Sequence, residues 1–384
     1  MSRFLSPLRF LLLALLLTLP FALRAQQLSD KAFVSLLTCG PGNELYSVFG
    51  HTAIRVADPS TGMDVVFNFG TFDFDTPNFY LKFVKGDLQY FVSAASYQDF
   101  VYTYQYYNRD VFEQRLNLTQ QQKQSIADEL VTTLNSDKKF YTYKYFDRNC
   151  TTMVGDILAH NVEGGISSEN TDAGKTYRKI VVERLHNSFY ENLGISLIFG
   201  AKTDNVLSNL FLPVQLLQGV EHTKLADGKP LSQPVETVFK STAEPEASWW
   251  NNIYTFVLAC IALMVLTYRL LLLKRVLYAL FGLLGIFFCL VGLYSFHAEI
   301  SWNYNALLVN PLFLVLGYFS FAKKQQAIQK TALVLIGFVF VYGLYMLNKP
   351  HLFIVLPLIG LILVMLVREA LPLIKTLPGR KQKA

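Results

Sequence analysis

The chain has 384 residues, of which 52% are hydrophobic and only 16% charged, with a formal net charge of +6. About a quarter of a soluble protein's residues are charged, so this composition calls for a membrane portion. The basic residues form no patch interleaved with aromatics, which sets a nucleic-acid groove aside.

The chain opens on a secretory signal. Arg3 and Arg9 precede the apolar run from Phe10 to Leu19, and "ALRA" offers a cleavage point at Ala25, which assigns 1–25 to a signal peptide. An uncleaved anchor helix is the alternative, and it exports the following segment just the same.

Residues 26–246 alternate between strand and helix periods and predict an α+β exported domain built on an antiparallel sheet. "KAFVSLLTC" reads as a strand and "GPGNELYSVFG" as a turn with a short helix. "HTAIRVAD" and "DVVFNFG", separated by "PSTGM", read as a hairpin. "DLQYFVSA" and "RDVFEQRLNL" predict further strands, with a helix over "SYQDFVYTYQYY" between them. Thr119 and Gln122 form a capping box that starts a helix over "QQQKQSIADELVTTL". Asn149 is a good N-cap for the helix after it, whose Met153, Val154, Ile157 and Leu158 share one face. The Pro- and Ser-rich stretch 227–248 reads as the end of the domain and a linker.

After Trp249 and Trp250 the composition changes, which places a membrane domain over 247–384. Apolar runs at 252–272, 276–296, 304–321, 331–347 and 351–371 predict an all-α bundle of five transmembrane helices. Arg269, Lys274, Arg275, Lys323, Lys324, Lys330 and the basic tail fall on one side of those spans. The positive-inside rule then makes the C-terminus cytoplasmic and the N-terminal domain periplasmic, in an inner membrane.

Two residues in the exported part carry candidate chemistry. Cys150 lies in the first turn of a capped helix, where unpaired N–H groups and the helix dipole favour a thiolate. His51 heads a strand behind Gly50 and is the natural base. Asn68, in "VFNFG", is the candidate orienting group, with Asp73 behind it, and the backbone N–H groups of Cys150 and Thr151 are candidate oxyanion donors. Structural readings stand beside these. A lone histidine at a strand start is often a core residue, and Cys39 and Cys150 are the cysteines of the exported part, so a disulfide between them is open. Glu299, Asn303, Asn305 and Asn310, in "HAEISWNYNALLVNP", lie near the external ends of two spans and are candidate lipid or headgroup contacts. The aromatic stretches "FDFDTPNFYLKF" and "YTYQYY" read equally as core or as the lining of an acyl groove.

"CGPGNELYSVFGHTAIRV", "VFNFGTFDF" and "DRNCTT" together resemble the Lnb family and its N-terminal periplasmic domain. The order of histidine before cysteine is similar to the circularly permuted NlpC/P60 papain-like superfamily, which includes relatives of lecithin:retinol acyltransferase. "LGISLIFG", "LFLP" and "WNYNALLVNPL" extend the resemblance into the apolar half. It departs at Ser196 and Asn43, where the family often shows Asp. The resemblance implies a lipoprotein N-acyltransferase with Cys150 as nucleophile and His51 as base. A phospholipid would be the acyl donor and a diacylglyceryl-cysteine lipoprotein the acceptor, with no metal or cofactor. The competing readings are a cysteine peptidase, amidase or lipid hydrolase with the same pair, and a membrane sensor or scaffold stapled by a Cys39–Cys150 bridge.

Overall fold

The computed structural model describes residues 27–169, 171–242 and 248–374; the segment 1–25, expected to be a signal peptide, and the basic tail beyond 374 lie outside the described residues.

The alternating runs form strands as expected: β1 (Phe33–Cys39), β2 (His51–Asp58), β3 (Met63–Thr71), β4 (Gln89–Ser96) and β5 (Val111–Arg115). Two short strands, β6 (Phe140–Thr142) and β7 (Glu236–Phe239), complete a seven-stranded sheet in the order β6-β4-β3-β2-β1-β5-β7. Every pairing is antiparallel. β7 falls inside the stretch read as linker: "ETVF" returns to pair with β5, so that part of the stretch belongs to the sheet.

Short helices fill the connections: α1 (Phe79–Lys85), α2 (Tyr97–Tyr106), α3 (Gln120–Leu134) and α4 (Cys150–Asn161), then α5 (Tyr177–Arg184), α6 (Phe189–Ile198) and α7 (Pro213–His222). The capping box of Thr119 and Gln122 starts α3 as predicted. "GPGNELYSVFG" contains turns and no helix. One face of the sheet presents Leu36, Ile54 and Phe67 to Ile126 of α3, Leu158 of α4 and Leu216 of α7. The other presents Leu37, Cys39, Ala53 and Val66 to Phe100 and Tyr104 of α2. With both faces covered, even Thr52, Arg55 and Asp58 of β2 are buried, and Arg55 is tolerated there through paired bonds to Asp64 and Glu113.

The apolar half contains α8 (Ile253–Arg269), α9 (Leu271–Tyr294), α10 (Leu312–Phe321), α11 (Gln325–Met346) and α12 (Leu352–Ile374). Among the described residues, three segments are long and apolar enough to cross a membrane: Leu271–Tyr294, Gln325–Met346 and Leu352–Leu371. A fourth arises if the bent pair Ala298–Leu307 and Leu312–Phe321, with its 42° break, counts as one span. By length and composition the described residues thus give three or four spans where five were expected. The 17 residues of α8 reach about 25 Å at 1.5 Å per residue, short of a ~30 Å hydrocarbon core. The expected third span is interrupted where Asn310 accepts from the Leu312 N–H and donates to the Ala306 carbonyl, next to Pro311.

Candidate active site

The start of α4 is shaped by Asn149. Its Oδ1 accepts from the N–H groups of Thr151 (2.9 Å) and Thr152 (3.0 Å), while the Thr152 hydroxyl accepts from the Asn149 N–H at 2.9 Å. The Asn149 amide group also donates to the carbonyls of Tyr145 and Phe211. One buried side chain therefore both starts the helix and ties it to the loops on either side. Cys150 becomes the first helical residue, partly buried at the positive end of the dipole.

Sheet register brings His51 to the same place. Cys39 pairs with His51, and Ala53 pairs with Asn68, so Asn68 sits diagonally across from His51 on one face. The register of β3 against β4 shifts between Asn68 and Thr71, a bulge of the kind that re-aims side chains beside a site. Gly50, immediately before His51, has φ +88°, and a Cβ there would run into the Cys39 carbonyl oxygen. Only glycine lets the chain enter β2 at that angle.

The two side chains meet at the end of the sheet. Burial alone would push the Cys150 thiol up. The His51 imidazole, through its charge and a hydrogen bond, the Thr52 N–H and the Thr151 hydroxyl outweigh burial and hold it below the ordinary thiol value. Asn68 Oδ1 lies 3.3 Å from His51 Nε2. With the imidazole neutral and its proton on Nε2 facing that oxygen, Nδ1 keeps the lone pair a base needs. Asp73 is exposed and accepts from the Asp75 N–H, closing a turn, and does not reach His51.

Thr151 is placed differently from the expectation. Its N–H is taken by Asn149 and is not directed at a reacting carbonyl. Its hydroxyl instead bonds Thr52 Oγ1 at 3.0 Å, fastening α4 to β2. Of the two proposed oxyanion amides, the cap leaves only that of Cys150.

Cys39 and Cys150 are free thiols. Cys39 packs against α2, and burial pushes its thiol far up, opposed by a hydrogen bond with Tyr104. Tyr104 also stacks on His51, with centroids 6.5 Å apart and planes 13° from parallel. Neither Tyr104 nor Thr52 was singled out in the sequence. The four-residue spacing of Phe100 and Tyr104 marks a buried helix face but not its partner.

The external residues of the apolar half lie against the N-terminal domain. Glu299, 3% exposed, accepts from the Tyr145 N–H, in the loop that leads to Cys150. Asn303 donates to the carbonyls of Leu197 and Ile198, and Asn305 to those of Ser196 and Leu197. Asn305 Oδ1 in turn accepts from Tyr342 OH of α11 at 2.7 Å. Their polar atoms are engaged with protein, where headgroup contact was expected; Asn310 closes the break before α10. The domain bearing Cys150 is thus fastened to the membrane half by buried hydrogen bonds. Among the described residues, no three His, Cys, Asp or Glu side chains gather as a metal centre would require.

The thiol environment carries a measurable consequence. Alkylation of Cys150 by iodoacetamide, followed on its own peptide by mass spectrometry, is expected to rise with pH through an inflection below the usual ~8.5. His51→Gln removes the first-named favourable partner and is expected to move that inflection upward. An inflection indifferent to His51→Gln would show the two groups to be uncoupled.

Residues 22–183, which include His51, Asn68 and Cys150, match the family described as the Lnb N-terminal periplasmic domain. No curated protein and no solved structure gives a match.

Proposed function

Because residues 22–183 belong to the Lnb N-terminal periplasmic domain family, we propose that this membrane protein is a lipoprotein N-acyltransferase. In this reading it works at the outer face of an inner membrane, with its C-terminus in the cytoplasm. The observation that carries the reading is Cys150 at the start of α4, hydrogen-bonded to His51, in a domain itself hydrogen-bonded onto apolar helices. A soluble substrate would require no such attachment. An acyl chain held in the bilayer does.

His51 takes the thiol proton, and the thiolate attacks the ester carbonyl of a phospholipid. The tetrahedral oxyanion faces the Cys150 N–H and the α4 dipole. As it collapses, the C–O bond breaks, the imidazolium returns its proton to the departing alkoxide, and a lysophospholipid leaves. The acyl group remains as a Cys150 thioester. The α-amino group of a diacylglyceryl-cysteine then attacks the thioester carbonyl, His51 accepts the amine proton, and the thiolate departs. An amide forms and a thioester breaks. Asn68 holds the Nε2 proton, so that Nδ1 is the nitrogen that takes up and returns the reacting proton.

The test uses the full chain in vesicles with an acyl-labelled phospholipid. Without acceptor, a hydroxylamine-labile acyl adduct is expected on the Cys150 peptide. Adding a diacylglyceryl-cysteine peptide is expected to move the label onto its α-amine. Absence of the adduct would defeat the reading, and release of free fatty acid irrespective of the amine would make the protein a hydrolase.

A further inference from the structure

We propose that an aromatic ledge running from the Cys150 site to the external end of α9 is the binding path for the donor's acyl chain, entered from the outer leaflet. The proposal rests on the acyl-transfer reading above and names how the lipid reaches the sulfur.

The ledge is continuous. Phe72 and Phe74 meet edge to face with centroids 4.9 Å apart, and both contact Phe79 of α1, at 5.9 and 5.0 Å. Phe79 lies parallel to Phe83 at 6.4 Å, and Phe83 touches His297 at 6.0 Å. At its inner end the ledge starts beside Gly70, where a Cβ would stand 3.7 Å from Cys150 Cβ. Phe72 and Phe79 pack at the rim of the same core cluster as Cys150.

At its outer end the ledge is fixed to the membrane half. His297 Nε2 donates to the Phe83 carbonyl at 2.9 Å, the Phe296 N–H to the Lys85 carbonyl at 2.7 Å, and the Ser295 hydroxyl to the Val84 carbonyl at 2.9 Å. Gly86, at the C-cap of α1, permits this approach: a Cβ there would lie 2.9 Å from His297 Cδ2 and 3.0 Å from its backbone N. Three carbonyls at the end of α1 are thus capped by the turn that follows Tyr294, the last residue of a membrane-length helix.

That attachment sets the depth of α1. None of its seven residues is buried, and Leu81 is 72% and Phe83 46% exposed. In water such a helix would leave a contiguous apolar patch without compensation. Held level with the end of α9, it lies where an interfacial helix buries its apolar side among acyl chains. Lys82, in its last turn, is placed for the phosphate of a headgroup, while Lys85 pairs with Asp87 at 2.6 Å. The occupant fitting all three features is a phospholipid, its head at Lys82 and one chain along the rings toward Cys150.

The experiment reconstitutes the full chain in phosphatidylethanolamine/phosphatidylglycerol vesicles containing a trace of phospholipid with a diazirine in its acyl chain. After illumination, crosslinks are mapped by mass spectrometry. Labelling of peptides covering 72–83 is expected in wild type and in Cys150→Ser alike, because it requires no thioester. The double variant Leu81→Asp, Phe83→Asp is expected to lose this labelling about tenfold, as charge on an interfacial apolar face should. Cys150 alkylation by iodoacetamide should stay at the wild-type rate, which shows the fold intact. Labels confined to the membrane helices, with none on 72–83, would overturn the proposal even if an acyl-enzyme forms. Ledge labelling without any acyl-enzyme would instead uphold the lipid site and remove the transferase reading.

Discussion

Cys150→Ser is expected to lower acyl transfer by at least ~10³-fold, while Cys39→Ser should stay within about threefold of wild type. A serine hydroxyl keeps the position, the cap and the Thr52 N–H, so geometry is preserved. What changes is acidity: the surroundings that bring a thiol below its ordinary value cannot ionise an alcohol. Cys39 has the opposite environment. It is 1% exposed, and burial pushes its thiol far up. A serine there retains a hydrogen-bonding group for Tyr104. Transfer to the α-amine of a lipopeptide, quantified by mass spectrometry, checks both variants. A Cys150→Ser protein with substantial turnover would end the thioester mechanism, and a Cys39→Ser protein as dead as Cys150→Ser would reopen the assignment of the nucleophile.

Arg178→Met is expected to loosen the joint between the two halves by about 3–5 kcal/mol, the cost of breaking a buried ion pair by removing one partner. Arg178 is 1% exposed. Its Nε donates to Asp204 at 2.7 Å, Nη1 to the Ser196 carbonyl at 3.2 Å, and Nη2 to the carbonyls of Phe199 and Gly200 at 2.9 and 2.7 Å. It thereby holds the 196–204 segment in the shape that receives Asn303 and Asn305. Asp204 also accepts from Lys349, in the turn between α11 and α12, at 2.9 Å. Methionine fills much of the volume but removes one donor from each of three carbonyls and from the Asp204 carboxylate, which keeps only Lys349. The expected outcome is faster amide exchange across 196–204 and 297–305 and a lower melting temperature in detergent. Arg178→Lys should recover only part, because one ammonium cannot span the four acceptors. In wild type, burial would raise the Asp204 pKa, but Arg178 and Lys349 outweigh it and hold it below the ordinary range. Its stabilising share is therefore complete above about pH 4 and fades only as pH falls through that lowered value. Exchange in these segments that is unchanged by Arg178→Met would show the joint to be held elsewhere.

Both results bear on how much of this molecule was legible before its fold was known. The alternation in "HTAIRVAD" and "DVVFNFG" marked β2 and β3 because a covered sheet leaves a period-two trace. Asn149 announced the start of α4 because capping is local chemistry, complete within four residues. Other elements left no such trace. β6 has three residues and β7 four, and each exists because a distant strand offers it an edge. α1 carries no buried face from which a helical period could be recognised.

The apolar half shows the same division. Composition separated it from the exported domain, since a bilayer imposes its solvent on every residue it contains. Composition did not reveal the break at Asn310 or the shortness of α8. Nor could it distinguish an asparagine facing headgroups from one facing carbonyls: the partners of Asn303 and Asn305 lie in α6. The order of residues by itself marked the local features, namely five of the seven sheet strands, the helix caps, the two solvents and a candidate cysteine–histidine pair. Only the tertiary structure decided that Cys150 and His51 touch, that Thr151 has its amide already taken, and that the two halves are locked together. A contact between residues a hundred positions apart depends on strand register and loop path, which no single stretch of chain contains.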